Sequence, residues 1–315
     1  MSLTVTPILP QFGAEISGID ITQPLDPAER QQVIDASEKW GVCVYRDAGL
    51  TDAAHVAFSR IFGQLELSPL IKGRIPRLSE PELFDVSNLN VSDQIVCDEK
   101  MLLRNAGDRL WHTDSSFMEV LSSYSLLRAC EVPPVGGQTM FADTRTAYDD
   151  LPQTKKDEIA DLELEHSFWH SRKLAGYPVS DVEVDERPKA RHPLVMKQES
   201  TGRSALFVAA HACDVVGMPR EQGRALIAEL IAWVIQPKYV FSVTYAPGDV
   251  VIWNNLTSMH RGCEFDVLNQ RRDMRRTTVR AGSSSGVSDD AFTRYFADAD
   301  YSVKPTSVRN ETVPA

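Results

Sequence analysis

From residue 109 onward the chain returns repeatedly to one pattern: short segments rich in β-branched and aromatic residues, each cut off by glycine, proline or a small polar cluster. YSLLRACEV, GQTMFAD, ALFVAAHA, YVFSVTY, DVVIWNN and MRRTTVRAG are such segments, and PPVGG, TGR and APGD are among the breaks. Strands this short cannot bury their apolar faces singly, so they must stack or close on one another. Helical patterns interrupt them at 144–163 and 219–236, the second opened by a proline, whose missing N–H is harmless in a first turn. The pattern predicts a mostly β fold with helical insertions, a sandwich or jelly roll.

The N-terminal part is organised differently. LTVTPIL and AEISGIDI read as short strands, and Asp26-Pro27 then opens a helix over AERQQVIDASEKW that Gly41 stops. VCVYRD (42–47) alternates as a buried strand does, and DAAHVAFSRIFG predicts a second helix. Residues 66–108 are mixed and polar; a connection of that length usually carries function. Residues 1–282 are expected to form a single domain. From Ser283 the SSSG stretch opens a C-terminal extension (283–315) without apolar periodicity, expected to dock loosely.

With 315 residues, 43% of them hydrophobic, the chain can build a large core. Its 33 Lys and Arg against 44 Asp and Glu leave a net charge of −11. That field repels phosphate, which argues against a nucleic-acid or anionic-membrane surface. Any anionic ligand must be met by a local basic pocket. Five widely spaced cysteines with no CxxC pair suit a reducing compartment. Without a basic leader or a long apolar run, the expectation is a soluble cytoplasmic protein.

The stretch RLWHTDSSF places His112 and Asp114 two residues apart, so that in a strand both project to one face while Thr113 turns away. An imidazole and a carboxylate converging on one point make two-thirds of a 2-His-1-carboxylate triad for iron(II). The pattern is too short to be specific, and an ordinary hydrogen-bonded pair is the blander account. His260, after the apolar segment DVVIWNN, is the best third ligand; His211 in VAAHA is its rival and equally reads as a core histidine. His166 and His170 (EHSFWHSR) would chelate a metal if both were helical, but lack the glutamate of HExxH. His55 and His192 have no evident partner.

NQRRDMRRTTVRAG then sets Arg272, Arg276 and Thr278 on one strand face and Arg271 and Arg275 on the other. Guanidinium groups turned inward need an anion, and their planar fork suits carboxylates. Arg272 and Arg276 could therefore hold two different carboxylates, one from an organic diacid. The alternative is a basic outer edge paired with Asp266 and Asp273.

In this order, His112-x-Asp114, GGQT with Thr139, His260, Arg272 and Arg276 resemble the iron(II)/2-oxoglutarate-dependent dioxygenases of the taurine dioxygenase and 2,4-dichlorophenoxyacetate dioxygenase family. The resemblance runs from VCVYRDAGLTDAAHVAFSRIFGQLE to RRDMRRTTV. It implies a double-stranded β-helix, or jelly roll, carrying the metal at its mouth. It implies His112, Asp114 and His260 as catalytic metal ligands, Thr139 and Arg272 as the 2-oxoglutarate site, and Arg276 as receptor for the substrate's anionic group. The phenoxyacetate branch is the nearer likeness, and it adds Lys72 and His211 to the substrate side. Asp214 departs from that branch, which tends to carry histidine there, and HSFWHSRKLAG also looks like the xanthine dioxygenases. The expected reaction is hydroxylation of a small anionic aromatic substrate by dioxygen, coupled to oxidative decarboxylation of 2-oxoglutarate to succinate, in a homo-oligomer. Two readings of other classes remain: a non-redox zinc hydrolase built on His166 and His170, and a silent jelly roll that binds an organic acid.

Overall fold

The computed structural model describes residues 3–69, 75–96, 102 and 106–282. Its strands are β1 (Thr4–Pro7), β2 (Ala14–Ser17), β3 (Val42–Tyr45), β4 (Phe84–Asp85), β5 (Ser122–Glu131), β6 (Thr139–Asp143), β7 (Glu163–His166), β8 (Ala190–Pro193), β9 (Val195–Lys197), β10 (Ser204–Leu206), β11 (Ala212–Val215), β12 (Val240–Val243), β13 (Val250–Asn254), β14 (Ser258–Gly262) and β15 (Asp273–Arg280). A seven-stranded sheet, ordered β1-β2-β3-β13-β5-β15-β4, faces a three-stranded sheet ordered β12-β6-β14. This is the expected jelly roll with helical insertions.

Why the large sheet is central follows from β13. Its five residues VVIWN are all buried, and it is paired on both edges, by β3 and by β5. Because side chains alternate, each face needs its own cover. Val250 and Ile252, with Cys43, Tyr45 and Leu126, pack beneath the helix Pro27–Trp40 in one cluster. Val251 and Trp253, with Val42, Val44, Leu127 and Met274, meet Phe141, Phe241 and Val243 of the small sheet in another. Each fully buried valine or isoleucine contributes roughly 1.5–3 kcal/mol. A charge at Val251 would sit between the sheets without a partner.

The outer face of the small sheet, through Ala142 and Met259, is covered by apolar residues of the helix Arg220–Val234. The helix Pro27–Trp40 starts at a capping box of Asp26 and Glu29. It ends at Gly41, whose φ of +70° and closeness to Arg145 Nη2, 2.8 Å from where a Cβ would stand, both require glycine.

Three sequence expectations are corrected. The helix expected over 144–163 is two, Thr144–Asp149 and Gln153–Ile159, because Pro152 cannot continue the first. ALFVAAHA is not one strand: β10 stops at Leu206 and pairing resumes only at Ala212. HSFWHSR is split between β7 and the helix Phe168–Leu174, so His166 and His170 do not share a helix face. Among the described residues of 66–108, regular structure is limited to β4, a helical Leu102 and a 3₁₀ turn at Ala106–Arg109. No helix among the described residues is long and apolar enough to cross a membrane.

Candidate metal centre and its cavity

His112 and Asp114 do not lie on a regular strand. His112 instead forms an isolated antiparallel bridge with His260 of β14, its N–H donating to His260 O at 2.9 Å and its carbonyl accepting from His260 N–H at 2.8 Å. That exchange sets the two imidazoles beside each other, ring centroids 4.2 Å apart. The ligand atoms of His112, Asp114 and His260 all lie within 4.8 Å of one another, and all three residues are buried. His112 Nδ1 donates to Leu110 O at 2.8 Å, which leaves Nε2 for a metal. His112 Nε2 and His260 Nε2 stand 4.0 and 3.9 Å from the two oxygens of Asp114.

These groups fit a divalent cation in protonation state as well as position. Burial, then the neighbouring His112, pulls the His260 imidazole well below its usual pKa, favouring the neutral ligand form. For Asp114, burial pushes the carboxyl up, but Arg276, His260 and His112 hold it well below the ordinary carboxylate range. Asp114 Oδ2 also accepts from Ser125 Oγ at 2.7 Å, and its backbone N–H donates to Asn255 Oδ1 at 3.2 Å. Asn255 further accepts from Trp253 Nε1 and donates to Ser125 Oγ. It therefore orients Asp114, while the His260 ring is wedged against Trp253. Thr113 turns away as expected, donating to Asn255 O at 2.6 Å.

The four arginines near the C-terminal end of the sheet separate by partner. Arg271 pairs with Glu131 and Asp93, and Arg275 with Asp52 and Asp273, so these two form the ionic edge. Arg272 precedes β15; its guanidinium bonds the carbonyls of Gly137 and Val86, both at 3.3 Å, lies 6.0 Å over the Phe265 ring, and has no carboxylate partner among the described residues. It faces the cavity, as does Thr139, whose hydroxyl accepts from Tyr245 at 2.8 Å. Burial pushes the Tyr245 phenol up to about 12, so it stays a donor. Sequence reading missed Tyr245, although Val243 pairs with Thr139 and Tyr245, two residues on, continues the same face.

Arg276 donates to Asp114 Oδ1 at 2.6 Å and lies 5.3 Å over the ring of Phe84. His211 is not the third ligand. It stands behind His112, ring centroids 6.1 Å apart, with its Nδ1 3.1 Å from Ser116 Oγ. The metal candidates, Thr139, Arg272, Arg276 and His211 line one cavity of about 640 Å³. Phe84, Phe117 and Phe168 supply its apolar wall, Phe117 meeting Phe168 edge-on at 5.2 Å and His211 at 5.1 Å. Lys72 lies outside the described residues. Asp214 does not line the cavity; it turns toward Arg220, Lys189 and Arg224, which neutralise it. His166 is buried against His192 and Phe207 and forms no metal cluster with His170 among the described residues.

Comparison with known proteins gives the same picture. The model of the family described as taurine catabolism dioxygenase TauD, TfdA family matches residues 4–278. The alpha-ketoglutarate-dependent 2,4-dichlorophenoxyacetate dioxygenase of Burkholderia sp. (strain RASC) is 37% identical over 282 residues, 89% of this chain and 95% of that protein. The (S)-phenoxypropionate/alpha-ketoglutarate-dioxygenase of Sphingobium herbicidovorans is 28% identical, over 85% of this chain and 91% of its own. Among solved structures, AAD-2 in complex with Mn(II) and N-oxalylglycine superposes with a TM-score of 0.83 at 36% identity, covering 89% of this chain and 98% of that one. The chain therefore belongs to the TauD, TfdA family of dioxygenases.

Proposed function

We propose that the chain is an iron(II)/2-oxoglutarate-dependent dioxygenase that hydroxylates a small aryloxyalkanoate-like carboxylate. The observation that carries the substrate class is the cavity itself. One end converges on His112, Asp114 and His260, the wall beside it is aromatic, and Arg276 stands between them. Polar residues of the kind a purine needs are engaged within the protein: Asn88 donates to Val267 O and Gln270 O, and Asp85 pairs with Arg77. The similarity to phenoxyacetate and phenoxypropionate dioxygenases supports the same choice.

In this reading His112, Asp114 and His260 would hold the metal, two imidazoles and one carboxylate being a donor set that suits iron(II). Bound there, iron with 2-oxoglutarate supplies the oxidising power, releasing succinate and carbon dioxide. Arg272 receives the distal carboxylate of 2-oxoglutarate, assisted by the Thr139 hydroxyl that Tyr245 orients. Arg276 receives the substrate carboxylate, with Lys72 assigned the same role from sequence, and His211, Phe117 and Phe168 hold the ring against the metal. The chemistry belongs to the cofactors, and the chain contributes position. Residues 1–282 are proposed as one catalytic domain in a cytoplasmic homo-oligomer. The unpaired cysteines 43, 130, 213 and 263 suit a reducing compartment.

The test is succinate formation from a panel of aryloxyalkanoates, purines and sulfonates with iron(II), 2-oxoglutarate and ascorbate. Aryloxyalkanoates are expected to couple turnover to their own hydroxylation. If no candidate couples, and His112→Ala leaves 2-oxoglutarate consumption unchanged, both the substrate and the site assignments fail.

A further inference from the structure

Behind the metal candidates lies an acid that this reading does not use. Glu66 is buried, 3% exposed, in a segment that runs along the edge of β15: its N–H donates to Thr278 O at 2.8 Å, and Leu65 bridges Val279. Its carboxylate accepts from Ser122 Oγ of β5 at 2.5 Å and from Ser115 Oγ at 3.1 Å. Ser115 directly follows Asp114 and has φ of +55°, in the left-handed region. A residue with a side chain keeps that conformation only where its surroundings impose it. Ser115 O then accepts from Met118 N at 2.9 Å, so the chain reverses immediately after Asp114.

We propose that Glu66 is a positioning residue for Asp114, acting through the left-handed turn at Ser115. Glu66 is anchored on β15 at the Thr278 carbonyl, two residues from Arg276, and on β5 through Ser122. It therefore fixes the turn relative to both strands that touch the Asp114 carboxylate, β5 through Ser125 and β15 through Arg276. Without the Glu66–Ser115 bond the turn relaxes toward an ordinary backbone conformation, and the carboxylate loses its aim at the point shared with His112 and His260. The inference rests on the metal site proposed above.

The turn mechanism makes a prediction that a general packing role does not. Glycine adopts positive φ without help, whereas alanine does not. In the full chain, Mn(II) affinity measured by electron paramagnetic resonance is expected to fall about ten- to a hundredfold in Glu66→Ala and in Ser115→Ala. It should stay near wild type in Ser115→Gly and be largely restored in the double variant Glu66→Ala/Ser115→Gly. Glu66→Gln, whose amide oxygen still accepts from Ser115, should lose less than Glu66→Ala. In turnover, kcat should fall while the KM for 2-oxoglutarate, set at Arg272, stays unchanged. Wild-type affinity in Ser115→Ala, or failure of Ser115→Gly to bind metal better than Ser115→Ala, overturns the proposal, and this pair decides even where Glu66→Ala does not fold. Equal Mn(II) binding by wild type and His112→Ala would instead sink the metal site itself.

Discussion

The two ends of the cavity are built from different material. The proposed metal and co-substrate end is anchored to sheet: His260 lies on β14 and Thr139 on β6, while His112 and Asp114, off any regular strand, are tied to β14 by the His112–His260 bridge and to β5 by Ser125. The substrate wall rests on connections and one short helix: Phe84 on a two-residue strand, Phe117 in the turn after Asp114, Phe168 opening its helix and His211 between β10 and β11. Strands paired on both edges hold a side chain to a fixed direction, while loops tolerate exchange. We infer a division in which the strand-borne end sets the reaction and the loop-borne wall sets the substrate, with Arg276 of β15 at the boundary between them.

The strongest test of that division removes a ligand. Asp114→Ala takes away the only acid of the triad and leaves Arg276 without its carboxylate, so metal binding and succinate formation should both fall by roughly a thousandfold or more. Retained metal binding in a variant that folds would break the assignment of the strand-borne end.

Next comes the pair of arginines. Arg272→Met removes a guanidinium that has no carboxylate partner of its own among the described residues, and losing its proposed pair with the distal carboxylate of 2-oxoglutarate costs about 2–5 kcal/mol. The KM for 2-oxoglutarate should therefore rise roughly a hundredfold, with the metal still bound. Arg276→Met should raise the KM for the aryl acid instead, and leave that for 2-oxoglutarate within a fewfold of wild type. If both variants shift the same constant, the cavity is not divided as described.

What was legible in the sequence follows the same line. Regular spacing gave the jelly-roll strands, because alternation leaves few ways to bury VVIWN or SLLRA on both faces. The convergence of His112, Asp114, His260 and Arg272 on one cavity was readable because the resemblance rests on those residue types in that order. Tyr245 and Ser125 were not, since a hydroxyl acquires its meaning only from its neighbour across a sheet. Asn255 was equally hidden, because which side chain it meets depends on the bridge between His112 and His260. Asp214 departs from the phenoxyacetate branch in sequence, but Lys189, Arg220 and Arg224 surround it away from the cavity, a neighbourhood that sequence does not display. The phenylalanine wall was hidden because its members come from three distant connections.

Acid should loosen both ends. His55 lies beneath the large sheet, its Nε2 3.2 Å from Leu126 O, and His166 lies behind the substrate wall with neither ring nitrogen bonded among the described residues. Burial brings each down to about 3, with Arg128 adding to the effect at His55 and His192 at His166. Above pH 6.5 both are neutral, folded or unfolded. Between 6.5 and about 3 the unfolded chain takes up protons that the folded chain refuses, so stability falls as pH falls. Each histidine contributes about 1.4 kcal/mol per pH unit in that window. Urea midpoints at pH 7 and pH 5 should show the loss, and His166→Phe should reduce the slope. An unchanged slope in that variant would mean that His166 is charged or solvated in the fold.

The smallest expected effect is the one that sharpens the division most. Phe168→Leu keeps an apolar wall but removes the ring that meets Phe117 edge-on, an interaction of about 0.5–1.5 kcal/mol beyond its area. Specificity between substrates differing by a methylene-sized group spans only about 10- to 200-fold, so a softened wall should act within that range. The expected outcome is a threefold to tenfold rise in KM for aryloxyacetates, less for a straight-chain acid of similar length, and no change in KM for 2-oxoglutarate or in Mn(II) affinity. Comparing the two acids cancels any general loss of folded enzyme. Should Phe168→Leu instead weaken the metal or 2-oxoglutarate, the wall would be part of the scaffold that aims the ligands. The substrate would then have to be sought from the side of Phe84.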